Sequence, residues 1–366
     1  MSHIVVLPGD GIGPEVTAEA RQCLELLSDR CGLGLTFEER DFGGIAIDRH
    51  GVPLPAETLD ACKGADAILA GAVGGPQWDE CEQRPEAGLL QLRARLGLFA
   101  NLRPSRVLRG LEHLSPLKKH ICTGADVLVV RELTGGAYFG EKHYRDDYAS
   151  DLCVYTRDEI ERIAHVAFAA ARKRRKKVTS VDKANVLATS RLWRHTLEQV
   201  AGSYPDVALD HLYVDAAAMA LVTHPRRFDV IVTENMFGDI MSDELSVVGG
   251  SIGLLPSASI GESGPGLFEP IHGSAPDIAG QDIANPAAAI ASAAMLLDLG
   301  LGLAEPAALL ADSLEATLRG GCWTTDLHGK ARCSELGDDV RERLASQFTA
   351  REAHNELIAM NRGCCG

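Results

Sequence analysis

The chain has no apolar run approaching the roughly 18 residues that a membrane-spanning helix needs, so no membrane association through helices is expected. Its ten cysteines, scattered from Cys23 to Cys365, include no Cys-x-x-Cys pair of the kind that holds zinc. The opening residues, Met1-Ser-His-Ile-Val-Val-Leu, read as a strand rather than as a secretory leader. These absences point to a cytoplasmic protein with reduced thiols. The adjacent Cys364 and Cys365 read as incidental thiols in a polar tail. Positive charge is also scarce: Lys and Arg total 36 against 51 Asp and Glu, a formal net charge of −15. Nucleic-acid binding needs clustered cations and is disfavoured, whereas a small anionic substrate needs only local arginines. The one basic run, Arg172-Lys-Arg-Arg-Lys-Lys177, is expected to cap a helix C-terminus, where cations complement the macrodipole.

What is present fits a soluble globular protein long enough for two domains: 366 residues, 46 % hydrophobic and 24 % charged. Residues 3–8 form an apolar strand. Gly9-Asp-Gly-Ile-Gly-Pro14 follows, and then a helical pattern with Val16, Ala20, Cys23, Leu24 and Leu27 on one face, which together make an α/β unit. The spacing is Gly-x-Gly-x-Gly-Pro, not the Gly-x-Gly-x-x-Gly of a dinucleotide turn. A tight turn beside a ligand cleft is the expectation. Residues 65–76 read as a second strand running into a glycine-rich loop that contains Gly75. A helix then carries Leu89, Leu90 and Arg93 within one turn, so two apolar groups and a cation can face the same space; leucines on a helix equally well serve a core.

Arg103 and Arg131 each end an apolar run, where a guanidinium can fork onto a carboxylate or pair with a structural acid. Residues 142–151 read as a connection or hairpin arm. Lys183 and Asp215 each stand where an apolar stretch passes into a helix. Residues 228–233 read as a short buried strand, and after Gly238 the pattern turns helical. Asp239 and Asp243, four apart, then share a helical face, and their carboxylates can converge on a hard divalent cation. Residues 269–285 form a polar loop that surrounds something rather than filling a core. Helices are expected over 286–299, where alanines are compatible with a tightly packed interface, and over 312–320. A polar tail begins at about 346.

Several of these stretches together resemble the isocitrate and isopropylmalate dehydrogenases, a family of metal-dependent β-decarboxylating dehydrogenases. They are Leu7-Pro-Gly-Asp-Gly-Ile-Gly-Pro-Glu15, Gly74-Gly-Pro-Gln-Trp-Asp79, Leu98-Phe-Ala-Asn-Leu-Arg-Pro104, Val130-Arg-Glu-Leu-Thr-Gly-Gly136, Ser180-Val-Asp-Lys-Ala-Asn-Val186, Asn235-Met-Phe-Gly-Asp-Ile-Met-Ser-Asp-Glu244 and His272-Gly-Ser-Ala-Pro-Asp-Ile-Ala-Gly280. They run in family order from residue 4 to about 340. The resemblance implies an α/β, isopropylmalate-dehydrogenase-like fold of two domains around one continuous twisted sheet, not an ordinary Rossmann fold. The expected cofactor-binding domain is 1–98 plus 250–346, with 99–249 as the dimerisation and metal/substrate domain and 347–366 as tail.

The resemblance also implies a homodimer with shared active sites that oxidises and decarboxylates a dicarboxylate, 3-isopropylmalate, to 4-methyl-2-oxopentanoate and carbon dioxide, as in leucine biosynthesis. By that likeness the partner's Lys183 is the general base and Tyr138 the acid. Asp239, Asp243 and the partner's Asp215 hold Mg²⁺ or Mn²⁺, and Arg93, Arg103 and Arg131 bind the substrate carboxylates. Leu89 and Leu90 face the isopropyl group, since a carboxylate there, as in isocitrate, would need a cation or hydroxyl. NAD is the implied cofactor. His272, Gly273, Ser274, Ala275, Pro276, Asp277, Ile278 and Asn285 hold its adenosine half, while Gly75 and Glu86 border the nicotinamide. Asp277 suits a free ribose hydroxyl and would repel a 2′-phosphate.

Two features depart from the family: the 141–155 arm is short, and Trp323 stands where arginine is common. Two alternatives stay open, a paralogue acting on another 3-alkyl- or 3-benzylmalate and a non-catalytic regulatory subunit, although the latter would be expected to have lost Lys183, Tyr138 or an aspartate.

Overall fold

The computed structural model describes residues 1–363, with side chains through residue 349. The chain begins with β1 (Ser2–Leu7), α1 (Gly13–Cys31), β2 (Leu35–Glu39), α2 (Gly44–His50), α3 (Ala56–Gly64) and β3 (Ala67–Ala70). Next come α4 (Pro85–Arg95), β4 (Ala100–Arg106), α5 (Lys119–Cys122) and β5 (Asp126–Glu132). A small antiparallel hairpin, β6 (Lys142–Tyr144) and β7 (Ala149–Asp151), precedes α6 (Arg157–Arg172). The middle of the chain continues with β8 (Lys177–Asp182), α7 (Ala188–Ala201), β9 (Ala208–Tyr213), α8 (Val214–Thr223), β10 (Val230–Thr233) and α9 (Asn235–Gly249). It ends with β11 (Pro256–Ile260), β12 (Gly266–Pro270), α10 (Ala287–Met295), α11 (Ala304–Arg319) and α12 (Cys333–Gly363). Ten strands form one mixed sheet in the order β2-β1-β3-β12-β11-β4-β5-β10-β8-β9, an α/β fold of the expected class. No helix among the described residues is long and apolar enough to cross a membrane.

Two compact units divide the chain. One comprises Met1–Leu89 with the residues from Phe268 onward, and the other is Leu90–Leu267. The divisions expected from sequence were at 98 and 250. Residues 256–260 fall in the second unit because β11 pairs antiparallel with β4 there and the Phe99 amide bonds the Ile260 carbonyl at 3.1 Å.

In the first unit, α1 buries the expected face: Val16, Ala20, Cys23, Leu24 and Leu27 are fully inaccessible. Pro14 lies in its first turn, where the missing N–H is harmless. The Gly9–Gly11 turn is tight. Gly11 has φ +59°, and a Cβ there would lie 1.9 Å from the Ser274 carbonyl oxygen. That carbonyl accepts the Ile12 amide at 2.8 Å, so the turn is locked to the 272–285 loop. The alanine-rich α10 is buried against α1 and α11 rather than presented outward. The following helix begins at Ala304, earlier than the expected 312, because Pro306 sits in its first turn. The expected tail is helical as well: α12 continues through 347–363, and the Gln347 amide donates to Ser313 Oγ at 2.7 Å. Cys364 and Cys365 lie outside the described residues.

In the second unit β5, β10, β8 and β9 are mutually parallel, and a core of Val127, Val129, Val181, Ile231, Met241 and Leu245 lies on one face. The basic run closes α6, as expected: Arg172 lies in its last turn and Lys173 is the C-cap residue. The run also makes ion pairs that the sequence did not suggest. Arg174 bonds Asp126 at 2.7 Å and the buried Asp229 at 2.8 Å, Arg172 holds Asp206, and Lys177 pairs with Asp210 at 3.1 Å. These cations tie strand ends together.

Replacing Gly11 by Ala combines a left-handed φ with a backbone clash. Urea denaturation is expected to show a loss of more than about 2 kcal/mol; an unchanged midpoint would contradict the close approach.

Candidate functional site

The second unit's parallel strands end together, and their C-terminal ends deliver the functional side chains. The ends of parallel strands are where α/β sheets place ligands. Arg131 is the penultimate residue of β5, Lys183 follows β8, Asp215 lies in the first turn of α8 directly after β9, and α9 follows β10 by a single residue, Glu234. Arg103 reaches the same region from the antiparallel β4.

Arg131 is only 4 % exposed. Its Nε and Nη2 both donate to the Asn235 side-chain oxygen, at 3.0 and 2.7 Å, and its Nη1 pairs with Asp239. Arg103 Nη1 lies 3.4 Å from Asp239 and 3.5 Å from Asp243, and donates to Ser242 Oγ at 2.7 Å, while its Nε holds Asn101 at 2.6 Å. Tyr138 Oη donates to Asp239 at 3.1 Å, and the Arg131 guanidinium sits over the tyrosine ring. Gly238 leaves room for this, since a Cβ there would meet Arg131 Cγ at 2.6 Å. Arg93, buried on α4, and Arg103 both bear on Arg131. Burial first, and then the Arg103 charge, pull its pKa down to about 10, which leaves it a cation at neutral pH. Burial, then the charge of Asp239, push the Tyr138 hydroxyl above its ordinary range, so the phenol keeps its proton.

Asp239 and Asp243 share one face of α9, as their spacing requires. Burial, and secondarily the Asp239 charge, raise the Asp243 carboxyl, against the pull of Arg103. Two crowded carboxylates with no competing nitrogen or sulfur donor suit a hard divalent cation. Asp215 is not with them. It accepts from Lys183 Nζ at 2.5 Å, a bond that holds its carboxyl below the usual range. Among the described residues of one chain, no three His, Cys, Asp or Glu side chains gather closely enough to hold a metal. Sequence reasoning missed Asn101, Asn235 and Ser242. Asn235 and Ser242 lie in or beside the Asp239 stretch, yet nothing local shows that they contact arginines over a hundred residues away.

On α4, Leu89 is half-buried and Leu90 exposed, whereas Leu92 is fully buried. The Leu89–Leu90 pair is therefore available to a ligand and Leu92 serves the core.

The 272–285 loop belongs to the first unit. His272 is buried, its Nδ1 contacts the Gly273 carbonyl at 3.0 Å, and its Nε2 has no partner. Burial holds its pKa below the ordinary value. Ala275 adopts a positive φ of 37°, and the Ile278 amide returns to its carbonyl at 3.2 Å, which curls Pro276 and Asp277 outward. Asn285 bonds Asp326 at 3.0 Å and receives the Ala287 amide. Asp326 was also missed by sequence reasoning. Gly75 lies in the loop after β3, and Glu86 comes close enough to Gly74 that a Cβ there would meet its carboxylate at 2.5 Å. An orphaned buried imidazole nitrogen and an exposed carboxylate on one curled loop fit a dinucleotide with a free ribose diol.

Fold and site together define an α/β protein that gathers arginines and aspartates at the ends of its parallel strands. Residues 3–340 match the isocitrate/isopropylmalate dehydrogenase family model, and the chain belongs to that family. It is 56 % identical over 342 residues to a 3-isopropylmalate dehydrogenase of Staphylococcus saprophyticus, covering 93 % of this chain and 99 % of that one. A 3-isopropylmalate dehydrogenase of Anaeromyxobacter dehalogenans is 55 % identical, covering 94 % and 99 %. Among solved structures, isocitrate dehydrogenase from Methylococcus capsulatus superposes with a TM-score of 0.85 at 34 % identity, covering 94 % of this chain and 99 % of that one. The apo β-decarboxylating dehydrogenase of Thermococcus kodakarensis gives 0.80 at 37 %, covering 96 % and 98 %.

Glu234, nearly inaccessible between β10 and α9, has its carboxyl pushed up to about 7 by burial and then by the charge of Asp182. A carboxyl raised on folding stabilises fully below its unfolded value near 4.5, and that contribution is lost as pH rises through about 7. Glu234→Gln, which cannot ionise, is expected to exceed the parent in stability near pH 8 by up to about 3 kcal/mol and to converge with it in acid. Chemical denaturation across that window checks this, and parallel curves would contradict it.

Proposed function

We propose that the chain oxidises 3-isopropylmalate at C2 with NAD and releases its β-carboxylate as carbon dioxide, giving 4-methyl-2-oxopentanoate in leucine biosynthesis. The convergence of Arg103, Arg131 and Tyr138 on Asp239 carries this reading. It sets two guanidiniums, a protonated phenol and a metal-competent carboxylate at one point, which are the groups an α-hydroxy dicarboxylate needs to be held, oxidised and reprotonated. NAD supplies the hydride acceptor, held by the 272–285 loop with Gly75 and Glu86, and Mg²⁺ or Mn²⁺ on the aspartates supplies Lewis-acid polarisation.

The remaining roles belong to side chains. Arg93, Arg103 and Arg131 fork onto the two substrate carboxylates and fix C2 for hydride departure. Lys183 removes the hydroxyl proton as that hydride leaves. The C3–carboxylate bond then breaks, and its electron pair is left on the new ketone as an enolate. Tyr138 delivers its proton to C3, so the isopropyl-bearing carbon ends as CH₂. Leu89 and Leu90 face the isopropyl group and offer nothing to a third carboxylate. Asp277 accepts from a ribose hydroxyl and disfavours a 2′-phosphate.

The active protein is a homodimer in this reading, and the surface of the second unit supports it. Asp215, Met219 and Val222 lie along one face of α8. Met236, Ile240 and Val247 lie along α9 beside Asp239 and Asp243. All five apolar side chains are exposed, Met219 by 65 % and Ile240 by 62 %. The two helices pack on each other. A second copy that covers these stripes brings its Asp215 and Lys183 toward the first copy's Asp239 and Asp243, completing a three-carboxylate donor set that one chain lacks. Tyr144 on the hairpin is exposed as well.

A substrate panel tests the proposal. With Mg²⁺ or Mn²⁺, the protein is expected to turn over 3-isopropylmalate with NAD; turnover of isocitrate, or a preference for NADP, would overturn it. Leu90→Ser is expected to raise KM for 3-isopropylmalate about ten-fold, because an apolar contact of this size discriminates by roughly 1–3 kcal/mol. An unchanged KM would remove Leu90 from the pocket.

A further inference from the structure

Asn235 belongs to none of the roles above, yet it touches the elements that carry them. It is 2 % exposed and opens α9. Its Oδ1 accepts two bonds from Arg131, from Nε at 3.0 Å and Nη2 at 2.7 Å. Its Nδ2 donates to the Leu133 carbonyl at 3.0 Å and to the Gly135 carbonyl at 3.4 Å. Its backbone amide donates to Tyr155 Oη at 3.0 Å. The amide orientation follows from its partners, because guanidinium nitrogens only donate and carbonyl oxygens only accept.

The geometry points to Asn235 as a positioning residue that sets the Arg131 fork and the Tyr138 loop relative to the aspartate-bearing helix. Capturing Nε and Nη2 leaves Nη1 as the edge of Arg131 directed at Asp239. Bonds to Leu133 and Gly135 fix the loop that leads to Tyr138 three residues later. Four residues along α9 stands Asp239. One neutral side chain thus sets the mutual placement of a carboxylate-binding cation, a proton donor and a metal ligand. Neutrality is essential to this role: an anion at the same place would take the Arg131 charge that the substrate uses. Tyr155 supports the arrangement from the other side. Its ring blocks any side chain at Gly135 or Gly136, where a Cβ would fall 2.5 Å from ring or hydroxyl atoms, and Gly136 has φ +77°.

This inference rests on the proposed dicarboxylate activity and is tested by ratios between variant and parent. Asn235→Asp keeps the size and both acceptor bonds but introduces charge and loses the donor. Asn235→Ala loses all side-chain bonds. Steady-state kinetics of both, with NAD and substrate varied separately, are compared with melting temperature. A positioning role predicts that KM for the 3-substituted malate rises at least about ten-fold in both variants, since bonds to a charged group are involved. KM for NAD stays within about two-fold, and kcat for Asn235→Ala falls as the Tyr138 loop loosens. If Asn235→Ala does not fold, the isosteric Asn235→Asp still reads the Arg131 charge. A folded Asn235→Asp with parental KM for the diacid would overturn the inference, as would equal rises in both Michaelis constants. Failure of the parent to turn over 3-isopropylmalate would instead sink the functional reading; the ratio is then measured on whichever 3-substituted malate the parent accepts.

Discussion

Arg131 is the constraint around which the second unit is arranged. A guanidinium 4 % exposed, with Arg93 and Arg103 bearing on it, is costly to fold: burial removes its hydration and its neighbours repel it. Every feature around it offsets that cost. Asp239 supplies the opposing charge, Asn235 takes two of its donors, Gly238 gives it space, and the Tyr138 ring lies beneath it. Arg103 and Arg131 thus meet Asp239 and Asp243 within one cluster.

The aspartates answer a related problem. Asp239 is held by two arginines and a tyrosine, and Asp243 lies in the field of both Asp239 and Arg103. The site is therefore poised between cationic and anionic partners, which suits binding a dianion and a divalent cation together. Lys183 and Asp215 are meanwhile bound to each other on the far ends of β8 and β9.

The parts of this arrangement that repeat locally were legible in the sequence. The i,i+4 spacing put Asp239 and Asp243 on one helix face, apolar runs ending in arginine placed Arg131 at a strand end, and the periodicity of α1 gave its buried face. Contacts between distant segments were not legible. The place of Arg172 and Lys173 at the end of α6 was legible, but nothing in Arg172-Lys-Arg-Arg-Lys-Lys177 indicates that Asp126, Asp206 and Asp229 wait at strand ends. The same holds for Asn235, whose partners Arg131 and Leu133 are about a hundred residues away. Pro306 concealed the true start of α11, and the polar composition after residue 346 concealed a continuing helix.

Sharing of the carboxylate set between two copies is tested most directly by subunit complementation. Asp215→Asn and Asp239→Asn each remove one ligand and should each be inactive alone. Co-refolded in equal amounts, half of the dimers are mixed, and each mixed dimer contains one intact set of three aspartates, so about a quarter of parental activity should return. No recovered activity from a mixture shown to contain mixed dimers would contradict the shared site.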